Sequence, residues 1–318
     1  TGKPLTIQDI WPAGLSTPDR IHLPTPAPTP EIRGTREADR LTGSTHDDTI
    51  HGGGGRDRIQ GGDGADTLYG EGGRDLIRGG AGADLIYGGT HADTIHGGGG
   101  DDQVWGGTGR DKVYLGNGDD VFYDSKQGGA KGADLVMGGN GNDRIHGGGG
   151  ADTLYGDGGR DLIRGGDGAD LIYGGLDADS IYGGGGNDRV WGGWGRDEIH
   201  LGNGDDIFYD SKQGGVKGAD LVRGGNGNDS FHDGGGDDEY HGDAGADLFV
   251  FSPGHGNDVI ADFTPGDDHI RFTNLNLSYD DLIFRDLGQD MQIDTGSGTI
   301  TLPGLEPTDL QAGDFLFT

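Results

Sequence analysis

The chain contains no cysteine, so no disulfide can staple it and no thiol chemistry is open to it. Apolar residues are scarce, at 30% of 318. No run of them approaches the ~18 residues that cross a bilayer as a helix. Basic residues are scarce too: 23 Lys and Arg stand against 55 Asp and Glu, a net charge of −32. A pI near 4.3 argues against nucleic acid as a partner, because phosphate contact needs a basic surface. It suits cations instead. The chain opens at Thr1 without Met or a signal segment, which reads as a processed or trimmed piece.

What is abundant is glycine, 74 residues of it. Glycine does not recur at every third position, so collagen is excluded. High glycine with high charge also describes disordered chains, but here the apolar residues are strictly placed. Nonapeptides run in step from Gly34 to Tyr123, from Gly129 to Tyr209 and from Gly215 to Val250, as in "GGDGADTLY" (61–69) and "GGDGADLIY" (165–173). Position 6 is Asp in every unit. These residues are Asp39, Asp48, Asp57, Asp66, Asp75, Asp84, Asp93, Asp102, Asp111 and Asp120, then Asp134, Asp143, Asp152, Asp161, Asp170, Asp179, Asp188, Asp197 and Asp206, then Asp220, Asp229, Asp238 and Asp247. Position 8 is always large and apolar, as at Ile50, Leu68 and Phe122. A longer period overlies this one. Residues 52–137 and 138–223 are near copies, each of nine nonapeptides plus a five-residue insert at Asp124–Gly128 or Asp210–Gly214.

Positions 7–9 read as a short strand with one residue pointing inward. The glycine-rich remainder makes a turn that needs positive φ. One strand per nonapeptide sends successive strands to alternate sheets, with the position-8 residues filling a thin core between them. Each turn leaves carbonyls and one Asp facing the next turn on the same edge, and hard oxygen ligands in such numbers suit Ca²⁺. Carboxylates stacked at ~4.8 Å per turn repel strongly unless neutralised. Half of the 32 net charges is 16, so about 16 Ca²⁺ would cancel them. Calcium is therefore expected to drive folding, with the chain expanded in its absence.

The pattern resembles the RTX (repeats-in-toxin) family, whose G-G-x-G-x-D-x-U-x repeat covers residues 34–250. The resemblance implies an all-β fold: a long parallel β-roll, or two-sheet β-helix, with 18 residues per turn. It places each Ca²⁺ between units n and n+2, so that Asp48 pairs with Asp66 and Asp66 with Asp84. Roughly 15–20 ions are expected in all. Twenty-three units give about 11 turns. Residues 1–33 form a tail with a stiff, Pro-rich linker, "LPTPAPTP". Residues 251–318 alternate apolar and polar residues and break at Gly and Pro. They resemble the β cap of secreted RTX proteins, and "AGDFLFT" resembles the end of a type I secretion substrate. An extracellular location follows from that resemblance, without a cleaved signal peptide.

Positions 7 and 9 face outward. Across those 46 positions there are 14 Arg, Lys or His and two acids, although the whole protein is acidic. One sheet of the first copy is expected to carry Tyr69, Tyr87, Trp105 and Tyr123 after His51. An odd number of strands per copy turns the second copy over, so Tyr155, Tyr173, Trp191 and Tyr209 continue the opposite sheet. Such rings can simply stack on one another. They can also pack on sugar rings, with Arg, Lys and His pairing uronate or sulfate groups. The R-modules of bacterial mannuronan C5-epimerases are similar in repeat and cap, and they assist alginate binding. The reading is a secreted calcium-binding module that binds an acidic polysaccharide, acting as a monomer or as part of a larger secreted protein. A catalytic alternative, a uronan lyase or C5-epimerase, would use Arg78, His96, Tyr114 and Lys112, reusing Arg164, Tyr182 and His200 in the second copy. An open sheet face counts against it. The remaining alternative is an adhesin spacer with calcium as its only ligand.

Overall fold

The computed structural model describes residues 31–124, 132–210 and 218–318. The Pro-rich linker and most of both five-residue inserts lie outside the described residues. Within them the chain winds into two parallel sheets. Strands Ile32–Arg33, Thr49–His51, Thr67–Tyr69 and Leu85–Thr90 open the first sheet. Strands Arg40–Thr42, Arg58–Asp63, Leu76–Ala81 and Thr94–Gly99 open the second. Strands alternate between the sheets for thirteen coils, ending at Gly256–Ile260 and His269–Phe272. Neighbours pair one coil apart in strict register, as Leu68 pairs with Ile86. This is the β-roll expected from the repeat, one and a half coils longer than 23 units alone allow.

The core lies between the sheets. Ile50, Leu68, Ile77, Ile86 and the position-8 residues after them are buried. Side-chain direction alternates along a strand, so positions 6 and 1 point inward as well. Leu115 and Leu201, which stand at position 1 where most units have glycine, are fully buried core residues. Elsewhere that space is taken: a Cβ on Gly61 would collide with Oδ2 of Asp66 and crowd the carbonyl of Gly79.

Most strands run six residues rather than the expected three. Leu85–Thr90 keeps pairing through Gly89 with Gly107 and Thr90 with Thr108. Gly89 has a φ of 109°, a conformation glycine adopts without a steric penalty, so the chain bends toward its turn without leaving the ladder.

Each insert-bearing unit contributes one strand. Val121–Tyr123 lies in the first sheet and the next strand, Leu135–Asn140, lies in the second. Nine strands per copy therefore turn the second copy over, as the arithmetic of the repeat requires. At the C-terminal end, Ile283–Asp286, Asp290–Asp294 and Gly298–Pro303 form an antiparallel meander on the last coil of the first sheet. Phe315–Phe317 closes the second sheet against His269–Phe272. The core there turns aromatic, with Phe231, Tyr240, Phe249, Phe251 and Phe272 buried. These strands cover parallel edges that would otherwise offer unpaired backbone groups to another chain.

Candidate metal ladders and sheet faces

The inward turn of position 6 brings the aspartates into two ladders, one along each edge of the roll. The backbone N–H of each Asp donates to Oδ1 of the Asp one coil further on. One ladder starts Asp48 to Asp66 at 2.7 Å, Asp66 to Asp84 at 2.8 Å and Asp84 to Asp102 at 2.8 Å. The other starts Asp39 to Asp57, Asp57 to Asp75 and Asp75 to Asp93, each at 2.8 Å. Both cross the inserts unbroken, from Asp111 to Asp134 and Asp120 to Asp143, then from Asp197 to Asp220 and Asp206 to Asp229. All 23 aspartates expected at position 6 take part. Two that the nine-residue count missed join them: Asp258 accepts from Asp238 at 3.1 Å and Asp268 from Asp247 at 2.9 Å. The missed signal was the half-motif D-x-U, which persists in "DVI" and "DHI" after the glycines fall out of step.

The second carboxylate oxygen is the telling one. Oδ2 of Asp57, Asp66, Asp75, Asp84, Asp93 and twelve later ladder residues is buried with no hydrogen-bond partner. A buried, unpaired carboxylate oxygen is costly, and a rank of them costs more. Burial accordingly pushes these carboxyls up from 3.8: Asp93 to about 8, with Asp111 and Asp75 adding repulsion, and Asp179 and Asp188 to about 8. Asp220 reaches about 9 through burial and the charge of Asp197. A hard divalent cation meets both needs, supplying a partner for the orphaned oxygens and cancelling their charge. The residues present fit calcium.

Both sheets present their position-7 and position-9 side chains outward. On the first sheet His51, Tyr69, Tyr87, Trp105 and Tyr123 sit side by side. His146, Arg164, Tyr182, His200, Arg223 and His241 continue the row. On the second, Arg78, His96 and Tyr114 precede Met137, Tyr155, Tyr173, Trp191 and Tyr209. The rings are stacked: Tyr69 on Tyr87 at 5.0 Å and Tyr87 on Trp105 at 4.8 Å, with Tyr155 on Tyr173 and Tyr173 on Trp191 at 4.7 Å. Ring faces are thus turned to one another, and it is ring edges and hydroxyls that line the surface. Flat packing of sugar on the ladder's inner rings is blocked by the neighbouring rings.

The groups considered for catalysis fall into two clusters. Arg78, His96 and Tyr114 occupy consecutive strands, His96 stacks on Tyr114 at 4.8 Å, and Lys112 lies two residues back on the same strand. Burial, with Arg78 beside it, lowers the pKa of His96. On the other face Arg164 lies 5.1 Å over the Tyr182 ring, and Tyr182 stacks on His200 at 5.0 Å. His200 also pairs with Glu198 at 3.2 Å. Both clusters lie on open sheet surface. A depression of about 250 Å³ beside Arg78 is also lined by Arg40, Arg58 and Gln60, gathering three guanidiniums on an acidic protein.

A two-sheet parallel roll with an aspartate ladder on each edge defines a calcium-binding β-roll. The family model described as RTX calcium-binding nonapeptide repeat (4 copies) matches residues 31–59, 51–86, 87–122, 128–163, 155–190, 164–199, 173–208 and 214–249. The chain belongs to this family, and its repeats bind calcium. Comparison with curated proteins gives no match. Among solved structures it is similar to the extracellular lipase LipA from Serratia marcescens, with 15% identity and a TM-score of 0.24 over 71% of this chain. The chain spans 40% of that lipase's length. It is also similar to the AlgE6R3 subunit of the Azotobacter vinelandii mannuronan C5-epimerase, with 23% identity and a TM-score of 0.28. That match covers 45% of this chain and 80% of the subunit.

Proposed function

We propose that this chain is an extracellular, calcium-folded module whose sheet faces bind an anionic polysaccharide. The ladder aspartates are the carboxylates that hold calcium, and in most rungs Oδ2 supplies an oxygen that the protein itself leaves unpaired. The ions' chemistry is structural: they neutralise the edges and let the sheets close. The polysaccharide reading is carried by one observation, the in-register rows of Arg, His and Tyr running along the roll axis on both faces. Strand spacing of ~4.8 Å is close to the length of one pyranose residue, so a polymer laid along the axis meets one such side chain per sugar. Guanidinium and imidazole groups pair carboxylate or sulfate, and tyrosine hydroxyls meet sugar hydroxyls. Contact runs through ring edges and cations, since the ring faces are used in stacking.

That stacking also favours a second reading, a spacer whose aromatic ladder only stiffens the roll. A polysaccharide array probed with calcium and with EDTA separates the two. Retention on polyuronate or sulfated glycans in calcium, lost at high salt, supports binding. The absence of retention on any glycan in calcium identifies a spacer. The same array, scored for unsaturated products and for hydrogen exchange at C5, reports lyase or epimerase activity by the Arg78–His96–Tyr114 cluster. Export by a type I route belongs to the same proposal, and is tested by fusing residues 251–318 to a reporter and assaying the medium.

A further inference from the structure

The unit 233–241, "DGGGDDEYH", breaks the repeat twice. Position 1 is Asp233 where other units have Gly or Leu, and position 8 is Tyr240 where every other unit is purely hydrocarbon. Both changes point inward, and they meet. Tyr240 is fully buried, and its hydroxyl lies 2.9 Å from Oδ1 of Asp233 and 3.3 Å from Oδ2 of Asp238. Oxygens of Asp233, Asp238 and Asp258 lie within 4.8 Å of one another, with all three residues buried. Oδ2 of Asp233 has no hydrogen-bond partner, although the residue is only 5% exposed.

The cluster also has a supporting frame and a way in. Nδ1 of His255 lies 2.8 Å from Oδ2 of Asp258, and its Nε2 lies 2.8 Å from the hydroxyl of Thr295. His255 is itself fully buried. A ligand carboxylate oriented by such a partner is typical of metal centres. A cavity of about 260 Å³ reaches the surface past Asp233, lined also by Asp210, His232 and Ser252.

We infer that Asp233, Asp238 and Asp258 form a three-carboxylate site for a divalent cation, with oxygen chemistry suited to Ca²⁺, inside the last coils of the roll. The pair Asp238–Asp258 is one more rung of the edge ladder. The third carboxylate makes the difference, because the other repeats have glycine or leucine where Asp233 stands. Ligand charge count tunes calcium affinity, so this rung outbinds its neighbours. Through His255 and Thr295 the ion is also tied to the turn before strand Gly298–Pro303, locking the cap to the roll.

The test is crystallographic, on the full chain grown in calcium and then exchanged into terbium, whose anomalous signal marks each site. The expected result is a peak bounded by Asp233, Asp238 and Asp258. In Asp233→Gly, which restores the residue most other repeats carry, that peak should fall to the height of the ordinary edge peaks, such as the one between Asp66 and Asp84. Two results would overturn the inference: edge peaks present with nothing among the three carboxylates, or a peak of unchanged height in the Asp233→Gly crystal. A solution measurement covers the case in which the variant does not crystallise. At stepwise lower free calcium, the wild type should retain one ion per chain that Asp233→Gly releases. Identical release curves would refute the site.

Discussion

The backbone N–H of Asp48 donates to Oδ1 of Asp66 at 2.7 Å, while Oδ2 of Asp66 is buried and meets no donor. One oxygen is spent on the neighbouring coil and the other is left for something the chain does not supply. Repeated along both edges, this asymmetry predicts a fold conditional on calcium.

Removing one rung should show it. In Asp152→Ala, the buried N–H of Asp134 loses its 2.8 Å acceptor. The expected loss is ~1–3 kcal/mol for that orphaned donor, plus the share carried by the ion. Asp39→Ala at the first coil removes only the exposed bonds from the Thr35 N–H and hydroxyl, whose donors water can satisfy, and should cost less. Denaturant titrations of both variants at one fixed free-calcium level check the order.

Acid should partly replace calcium. Asp93 and Asp134 are each raised from 3.8 to about 8, and Asp220 to about 9, mainly by burial. A carboxyl whose folded value is raised binds its proton more tightly folded than unfolded. Its contribution is therefore fully present below about 4 and is lost as pH rises through about 8 to 9. Calcium-free protein should gain β structure when acidified from pH 9 to pH 4, as followed by circular dichroism. A calcium-free chain equally unfolded across that range would contradict the assignment of these carboxyls as buried.

Stacking and binding separate at Tyr87, which lies between Tyr69 at 5.0 Å and Trp105 at 4.8 Å. Tyr87→Ala removes two stacked contacts, each worth ~0.5–1.5 kcal/mol beyond burial. Tyr87→Phe keeps both rings and removes only the hydroxyl edge. It should leave the melting temperature unchanged while weakening polysaccharide retention.

The turned-over second copy places Tyr69–Tyr87–Trp105 and Tyr155–Tyr173–Trp191 on opposite sheets. A roll with two such strips should bridge polymer chains. Light scattering should therefore rise when protein and polyuronate are mixed near equivalence, and fall again in polymer excess or at high salt.

Much of this was legible in the sequence because the physics repeats every nine residues. Asp at position 6 and an apolar residue at position 8 fix the direction of every side chain between them, and an odd strand count per copy dictates the flip. What escaped the count obeyed the same alternation at positions the motif leaves to glycine. Leu115, Leu201 and Asp233 all point inward at position 1, and only the three-dimensional crowding at Gly61 explains why glycine is the rule there. Asp258 and Asp268 escaped because the coils lengthen to 20 and 21 residues, which breaks the period while keeping the rung.

The most direct measurement is far-ultraviolet circular dichroism together with hydrodynamic radius as calcium is titrated into chelated full-length chain. The account predicts an expanded chain without β signal that collapses cooperatively to a compact roll as calcium fills the ladders. A chelated sample that keeps the compact radius, the β spectrum and the melting temperature of the calcium-loaded one would contradict it.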